Sequence, residues 1–160
     1  MATSYVLDAT AFYAGTPFLS SGKYYTTNAV FNEIKHIKKS ISAVEALVDS
    51  GKLAILDPDK SQLQAVSEAA KKTGDYQKLS AEDLTVIALS RQMGIALITD
   101  DMAAANVAAS MGISVESVSK KLKHIRKWVS YCSACGVGYG PNAKECDRCG
   151  NKLKRRFKLA

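Results

Sequence analysis

The sequence predicts an α/β protein in two modules: a three-layer domain in which helices cover a central parallel sheet, followed by a small C-terminal module. Three observations lead there. Short apolar runs alternate with helix-like patterns through residues 1–118, which is how a parallel sheet is written in sequence. All four cysteines fall in the last 29 residues, as Cys132-Ser-Ala-Cys135-Gly136 and Cys146-Asp-Arg-Cys149-Gly150. The charge changes near the same boundary: residues 1–118 carry 10 Lys/Arg against 13 Asp/Glu, and residues 119–160 carry 12 against 2. At 160 residues and 47% hydrophobic composition, the chain can bury one ordinary core and a small appendage.

Each element has a local reason. Tyr5-Val6-Leu7 reads as the first strand and ends on Asp8. Tyr24-Tyr25-Thr26 is a second short strand, with a helix over residues 28–37 behind it. Ile41, Val44, Leu47 and Val48 recur at helical spacing and are closed by Gly51. Leu53-Ala54-Ile55-Leu56 is a third strand, ended by Asp57-Pro58, and residues 61–72 are helical up to a stop at Gly74. Ser80-Ala81-Glu82-Asp83 has the form of a capping box and opens a helix to Met93-Gly94. That helix leads directly into the strand Ile95-Ala96-Leu97-Ile98. Residues 102–111 are helical with Gly112 as the stop, and residues 113–118 form the closing strand. Residues 119–131 read as a basic linker of helical character, residues 132–150 as a ribbon, and residues 151–160 as a basic tail.

Two Cys-x-x-Cys pairs bring four thiolates to one tetrahedral ion, and the glycine after each pair lets the backbone turn so that its amides point at the sulfurs. With residues 136–145 as the loop between them, Cys132, Cys135, Cys146 and Cys149 suit a zinc ribbon holding one structural Zn2+. A disulfide framework belongs to small secreted chains, and a redox Cys-x-x-Cys occurs once, on a βαβ unit. Four thiolates also leave no position open for a catalytic water. No apolar run approaches the roughly 20 residues of a membrane span, and the first eight residues lack the charged and apolar regions of a signal peptide. The expectation is a cytoplasmic protein with reduced thiols and no membrane partner. The basic C-terminal part is built to meet a polyanion, with nucleic acid foremost. Lys120, Lys121, Lys123, Arg126, Lys127, Lys152, Lys154, Arg155, Arg156 and Lys158 are the cations for its phosphates, and Trp128, Tyr131 and Tyr139 offer rings for its bases.

In an open parallel sheet the ligand crevice lies beyond the carboxyl ends of the strands, and this chain puts acids there. Asp8 ends the first strand, Asp100 and Asp101 follow residues 95–98, and Glu33 and Asp83 sit in helices beginning near the same edge. Singly, Asp83, Asp100 and Asp101 could each be a helix cap and Glu33 a solvated charge. Together on one rim they repel unless a cation neutralises them, and carboxylates without clustered His or Cys favour Mg2+ or Mn2+. The two histidines, His36 and His124, lie on a helix surface and in the linker. No histidine acid and base pair is offered, so chemistry at this rim would run through a metal-activated water.

Tyr5-Val-Leu-Asp8-Ala-Thr10, Val30-Phe-Asn-Glu33-Ile, Leu79-Ser-Ala-Glu-Asp83-Leu and Leu97-Ile-Thr99-Asp-Asp101 resemble, in order and spacing, the four acidic motifs of PIN-domain ribonucleases. The run from Leu97 through Asn106 to Ala108, with the basic linker and four-cysteine ribbon after it, resembles more narrowly the Nob1 family in its compact archaeal form. The resemblance covers essentially the whole chain. It implies a PIN-like domain over residues 1–118 and a metal-dependent endoribonuclease. The implied substrate is precursor small-subunit (16S) rRNA, cut at its mature 3′ end to leave a 5′-phosphate and a 3′-hydroxyl. The implied catalytic and metal-binding acids are Asp8, Glu33, Asp83 and Asp101, with Thr10, Thr99, Asp100 and Asn106 supporting them. The implied partners are the pre-ribosomal particle and a KH-domain assembly factor. Two other functions compete: a non-catalytic RNA-binding assembly factor, against which the intact acids speak, and a toxin-type PIN ribonuclease acting on tRNA or mRNA, against which the cysteine ribbon speaks.

Overall fold

A computed structural model describes residues 3–19, 21–36, 41–119 and 124–159. The linker lysines Lys120, Lys121 and Lys123 lie outside the described residues, as does the last residue expected of the helix over 28–37.

Five strands form the central sheet: β1 (Ser4–Leu7), β2 (Lys23–Thr26), β3 (Leu53–Ile55), β4 (Ala96–Ile98) and β5 (Val115–Glu116). Their order is β3-β2-β1-β4-β5 and every neighbouring pair is parallel. Val6 and Leu7, adjacent in β1 and therefore on opposite faces, are both 0% exposed, so the sheet is covered on both sides, as parallel sheets require. Among the described residues the helices around it are α1 (Ala9–Tyr13), α2 (Thr16–Leu19), α3 (Asn28–Ile34), α4 (Ile41–Asp49), α5 (Lys60–Thr73), α6 (Ala81–Met93) and α7 (Met102–Ser110). Helix α6 is buried at every position from Val86 to Ser90, because it packs against the sheet, α3, α5 and α7 at once. Its start is the expected capping box: Ser80 Oγ accepts from the Asp83 amide at 3.1 Å, and Asp83 Oδ2 accepts from the Ser80 amide at 2.9 Å.

The short helices α1 and α2 occupy a stretch where the sequence suggests no element, and β5 ends at Glu116 instead of residue 118, because Ser117 and Ser119 turn back onto Asp100. The helical character expected of the linker is corrected. Arg126–Tyr131 is strand β6, which pairs antiparallel with β7 (Gly138–Tyr139) and along its whole length with β8 (Lys154–Leu159). The segment read as a tail is therefore an edge strand of the C-terminal sheet, whose order is β7-β6-β8. Arg126, Trp128 and Ser130 face one side and Lys127, Val129 and Tyr131 the other, and full-length pairing with β8 decides for strand where lysine density alone does not.

The two modules meet at the end of α5. Gly74 caps that helix at φ +84, and a Cβ there would stand 2.5 Å from Trp128 Cβ and 2.8 Å from Pro141 Cβ. Arg155 donates to the Gly74 carbonyl at 2.6 Å. Asn106 on α7 grips the backbone of Arg126 from both sides, its Oδ1 accepting from the amide at 2.6 Å and its Nδ2 donating to the carbonyl at 2.8 Å. Among the described residues, no helix is long and apolar enough to cross a membrane.

Candidate functional site

In a sheet ordered β3-β2-β1-β4-β5 the strand order reverses between β1 and β4, and the crevice opens at their carboxyl ends. Asp8 stands there, 1% exposed. Its Oδ1 accepts from the Thr10 hydroxyl at 2.6 Å and from the Ala11 amide at 3.0 Å, which caps α1. Its Oδ2 accepts from the Thr99 hydroxyl at the end of β4. The same two threonines hold the next loop: Thr10 Oγ1 accepts from the Asp100 amide and Thr99 Oγ1 from the Asp101 amide, each at 3.0 Å. Asp101 then caps α7 through the Ala104 amide at 3.0 Å. On the other flank, the hydroxyl of Thr27, the cap of α3, lies 2.8 Å from that of Thr85 on α6, which sets Glu33 beside Asp83.

The acids act on each other. Burial pushes the Asp8 carboxyl up, its hydrogen bonds to Thr10, Thr99 and Ala11 oppose the rise, and the charge of Asp101 adds to it. Burial also raises Asp83 against the pull of Ser80, with Asp101 and Asp8 contributing. Glu33 rises by burial, then by the charges of Glu82, Asp83 and Asp8. The structure thus gathers Asp8, Glu33, Asp83 and Asp101 into one electrostatic group, with oxygens less tightly clustered than the four cysteine sulfurs. Carboxylates set close enough for their charges to raise Asp8, Glu33 and Asp83 are a donor set a hard divalent cation fits.

Two residues join the rim that sequence reasoning did not single out. Glu82 is the foremost charge acting on Glu33, and its only signal was its place in the capping segment. The Tyr13 hydroxyl is raised by burial and then by Glu33 and Asp8; it sits on α1, which the sequence did not announce. Two supporting residues turn elsewhere. Asp100 takes the Ser117 hydroxyl at 2.5 Å, the Val118 amide at 2.9 Å, and the amide and hydroxyl of Ser119 at 3.1 and 2.9 Å. These donors, Ser117 first, hold its carboxyl down at about 2. The side-chain hydrogen bonds of Asn106 go to Asp75 at 2.6 Å and to the backbone of Arg126, so it supports the junction between the modules and not the acids.

The cysteines converge. Their four sulfurs lie within 4.8 Å of one another, with Cys132 and Cys149 at 3.6 Å. A tetrahedral ion with thiolates at about 2.3 Å spaces its sulfurs about 3.8 Å apart, so the set fits one metal ion. The two knuckles repeat one turn: Gly136 and Gly150 both have φ +73, and their amides donate to the carbonyls of Cys132 and Cys146 at 2.8 and 2.9 Å. Tyr139 is drawn into this centre. Its hydroxyl lies 3.1 Å from Cys146 Sγ and donates to Asp147 at 2.5 Å.

Comparison with known proteins follows this geometry. The family described as "PIN domain of ribonuclease" matches residues 5–93, a span that holds Asp8, Glu33 and Asp83. "Endoribonuclease Nob1" of Pyrococcus abyssi is 34% identical over 93% of this chain and 91% of its own length. The protein of the same name from Methanocaldococcus jannaschii is 37% identical over 95% of this chain and 77% of its own. The chain belongs to the Nob1 family of PIN-domain endoribonucleases. A more distant relative, "20S-pre-rRNA D-site endonuclease NOB1" of Saccharomyces cerevisiae, is 39% identical over 49% of this chain and 17% of its own length.

In this Nob1-family endoribonuclease the C-terminal sheet sorts the basic residues by face. Directly paired residues of β6 and β8 share a side, so Lys127 with Lys158, Val129 with Arg156 and Tyr131 with Lys154 form one face. Its four cations are exposed, and the Arg156 guanidinium lies 4.9 Å from the Tyr131 ring. The other face carries Arg126, Trp128, Arg155 and Phe157, with Trp128 edge-on to Phe157 at 5.4 Å and Arg155 5.1 Å from the indole. Arg126 and Arg155 therefore serve the junction between modules. Lys127 opposite Lys158 is a like-charge pair, unfavourable unless an anion lies across it.

Proposed function

We propose that this endoribonuclease cleaves precursor small-subunit (16S) rRNA at its mature 3′ end during ribosome biogenesis. It works in the cytoplasm, on RNA presented by a pre-ribosomal particle and a KH-domain assembly factor. The observation that carries the reading is the single electrostatic group of Asp8, Glu33, Asp83 and Asp101 at the crevice between β1 and β4, in a chain of this family. These four acids are the residues that would hold Mn2+ or Mg2+. Such an ion, when bound, makes water a nucleophile near neutral pH and offsets charge on the transferring phosphoryl group. Thr10 and Thr99 keep the carboxylate of Asp8 aimed into the crevice and fix the loop that carries Asp101. Glu82 and Tyr13 border the rim beside Glu33. Zn2+ on Cys132, Cys135, Cys146 and Cys149 shapes the ribbon, and Lys127, Lys154, Arg156 and Lys158 meet the RNA backbone.

The test is incubation of the zinc-loaded protein with precursor rRNA spanning the mature 3′ end, with and without Mn2+ or Mg2+, beside tRNA and mRNA of equal length. Ion-dependent cutting at the one rRNA site is expected, and a preference for tRNA or mRNA would overturn the assignment. A precursor carrying one 2′-deoxy nucleotide at the scissile position should still be cut, because the attacking oxygen is water's; resistance with unchanged binding would mean 2′-hydroxyl attack.

A further inference from the structure

A cleft of about 410 Å3 lies between the two modules and opens beside Asp101. Its first wall carries Asp75, Asp100, the α7 cap Asp101 and Asn106 of α7 with Lys78, from the turn Tyr76–Lys78; its second carries Arg126 and Trp128 of β6. We propose that this cleft is a nucleotide-binding subsite: it takes one unpaired RNA nucleotide adjacent to the bond that is cut, with the phosphate on Lys78 and Arg126 and the base against the Trp128 indole. The proposal rests on reading the four acids as the cleavage centre.

Three features carry it. The first is place, since Asp101 belongs both to the acid rim and to the cleft lining, so a strand crossing the acids runs into the cleft without a break. The second is chemistry. Lys78 Nζ stands 4.4 Å from the centre of the Trp128 ring, which brings a cation of the acidic module and an aromatic ring of the basic module to one point. The ammonium lies over the indole, so an entering base takes its place on the ring and Lys78 turns to the phosphate beside that base. A volume of about 410 Å3 also falls within the ~300–1,000 Å3 of ordinary small-ligand pockets. The third is rigidity. Asp75 and Asn106 are each 2% exposed and bonded to one another at 2.6 Å, and Asn106 holds both backbone groups of Arg126. Buried polar groups are costly unless satisfied, and this set is satisfied by tying β6 to α7. The second wall is thereby held at a set distance from Asp101. A base must leave its stack to enter, so the subsite selects single-stranded RNA.

Trp128 is the chain's one tryptophan, so its fluorescence reports on this cleft directly. The zinc-loaded full chain, in buffer without added divalent ions, is titrated with a short single-stranded RNA and with a duplex of the same length. Saturable quenching by the single strand and not by the duplex is expected. Lys78 is exposed, so Lys78→Ala should fold, and it should raise KM for the precursor about tenfold while kcat stays within about twofold. Lys158→Ala, on the outer face, should weaken affinity yet leave the quenching amplitude as it is. RNA binding seen by anisotropy with Trp128 fluorescence unchanged, or Lys78→Ala with wild-type KM, would overturn the proposal. Failure of the functional reading looks different: the wild-type protein would not cut the rRNA precursor, whatever Trp128 reports.

Discussion

Asp8 and Asp100 are carboxylates on adjacent strand ends, and their surroundings push them in opposite directions. Burial raises Asp8, so the folded protein keeps a proton there that the unfolded chain has already lost. Stability therefore falls as pH climbs from the ordinary carboxylate range through the raised value. Asp8→Asn retains an oxygen for the Ala11 cap and removes the buried charge, so it should abolish cleavage while leaving the melting temperature at pH 7 no lower than wild type. A melt at pH 4 and pH 7, beside a cleavage assay, checks this; retained cleavage would remove Asp8 from the catalytic acids. Asp83→Asn should likewise remove activity, whereas a mere cap would lose about 1 kcal/mol of stability and keep its rate. Asp100 is held down at about 2, so its stabilisation is present above the ordinary carboxylate range and is lost as pH falls toward 2. Asp100→Asn should cost about 1 kcal/mol at pH 7 and progressively less as pH falls through 2, with cleavage retained. At this scale the strand-end acids were legible because a strand's carboxyl end is visible as the close of an apolar run. Glu82 and Tyr13 were not, because their nearness to Glu33 depends on how α1, α3 and α6 pack.

Among the elements, the capped and glycine-stopped helices were the readable ones: α5 and α6 end on Gly74 and Gly94 in the left-handed region, as their sequence predicts. Strand β6 was not, because its lysines and arginines mask an alternation that only the facing strand β8 makes decisive. That pairing ties Arg126–Tyr131 and Lys154–Leu159 to the cysteine centre between them, so the C-terminal sheet should stand or fall with its metal. Structural zinc is worth roughly 10–16 kcal/mol in modules of this kind. Cys146→Ser should melt residues 126–159 locally while the parallel sheet persists. In an NMR spectrum of the variant, resonances of β1 and α6 would stay dispersed as those of β6 and β8 collapse; a ribbon unchanged by Cys146→Ser or by chelation would mean that no ion holds it.

Over the whole molecule, charge and chemistry are divided between two bodies that dock. The acids sit in a module with net charge −3, counted over residues 1–118, which by itself repels the substrate it must cut. Most of the attraction has to come from the C-terminal sheet. The basic composition was legible from the sequence, but the division of labour was not: Arg126 and Arg155 turn toward the junction, leaving Lys127, Lys154, Arg156 and Lys158 as one exposed face. If those four engage phosphates of a single strand, they contribute about −3 to the slope of log affinity against log salt, at about −0.7 per contact. Replacing Lys127 and Lys158 together by alanine should flatten the slope by about 1.4. The same double variant should gain stability at low salt, because it removes a like-charge pair directly opposed across β6 and β8. Fluorescence anisotropy over a salt series, paired with thermal melts of the free protein, reads both effects. An unchanged slope would move the RNA off this face, and a loss of stability would mean that the two lysines pack the sheet more than they repel across it.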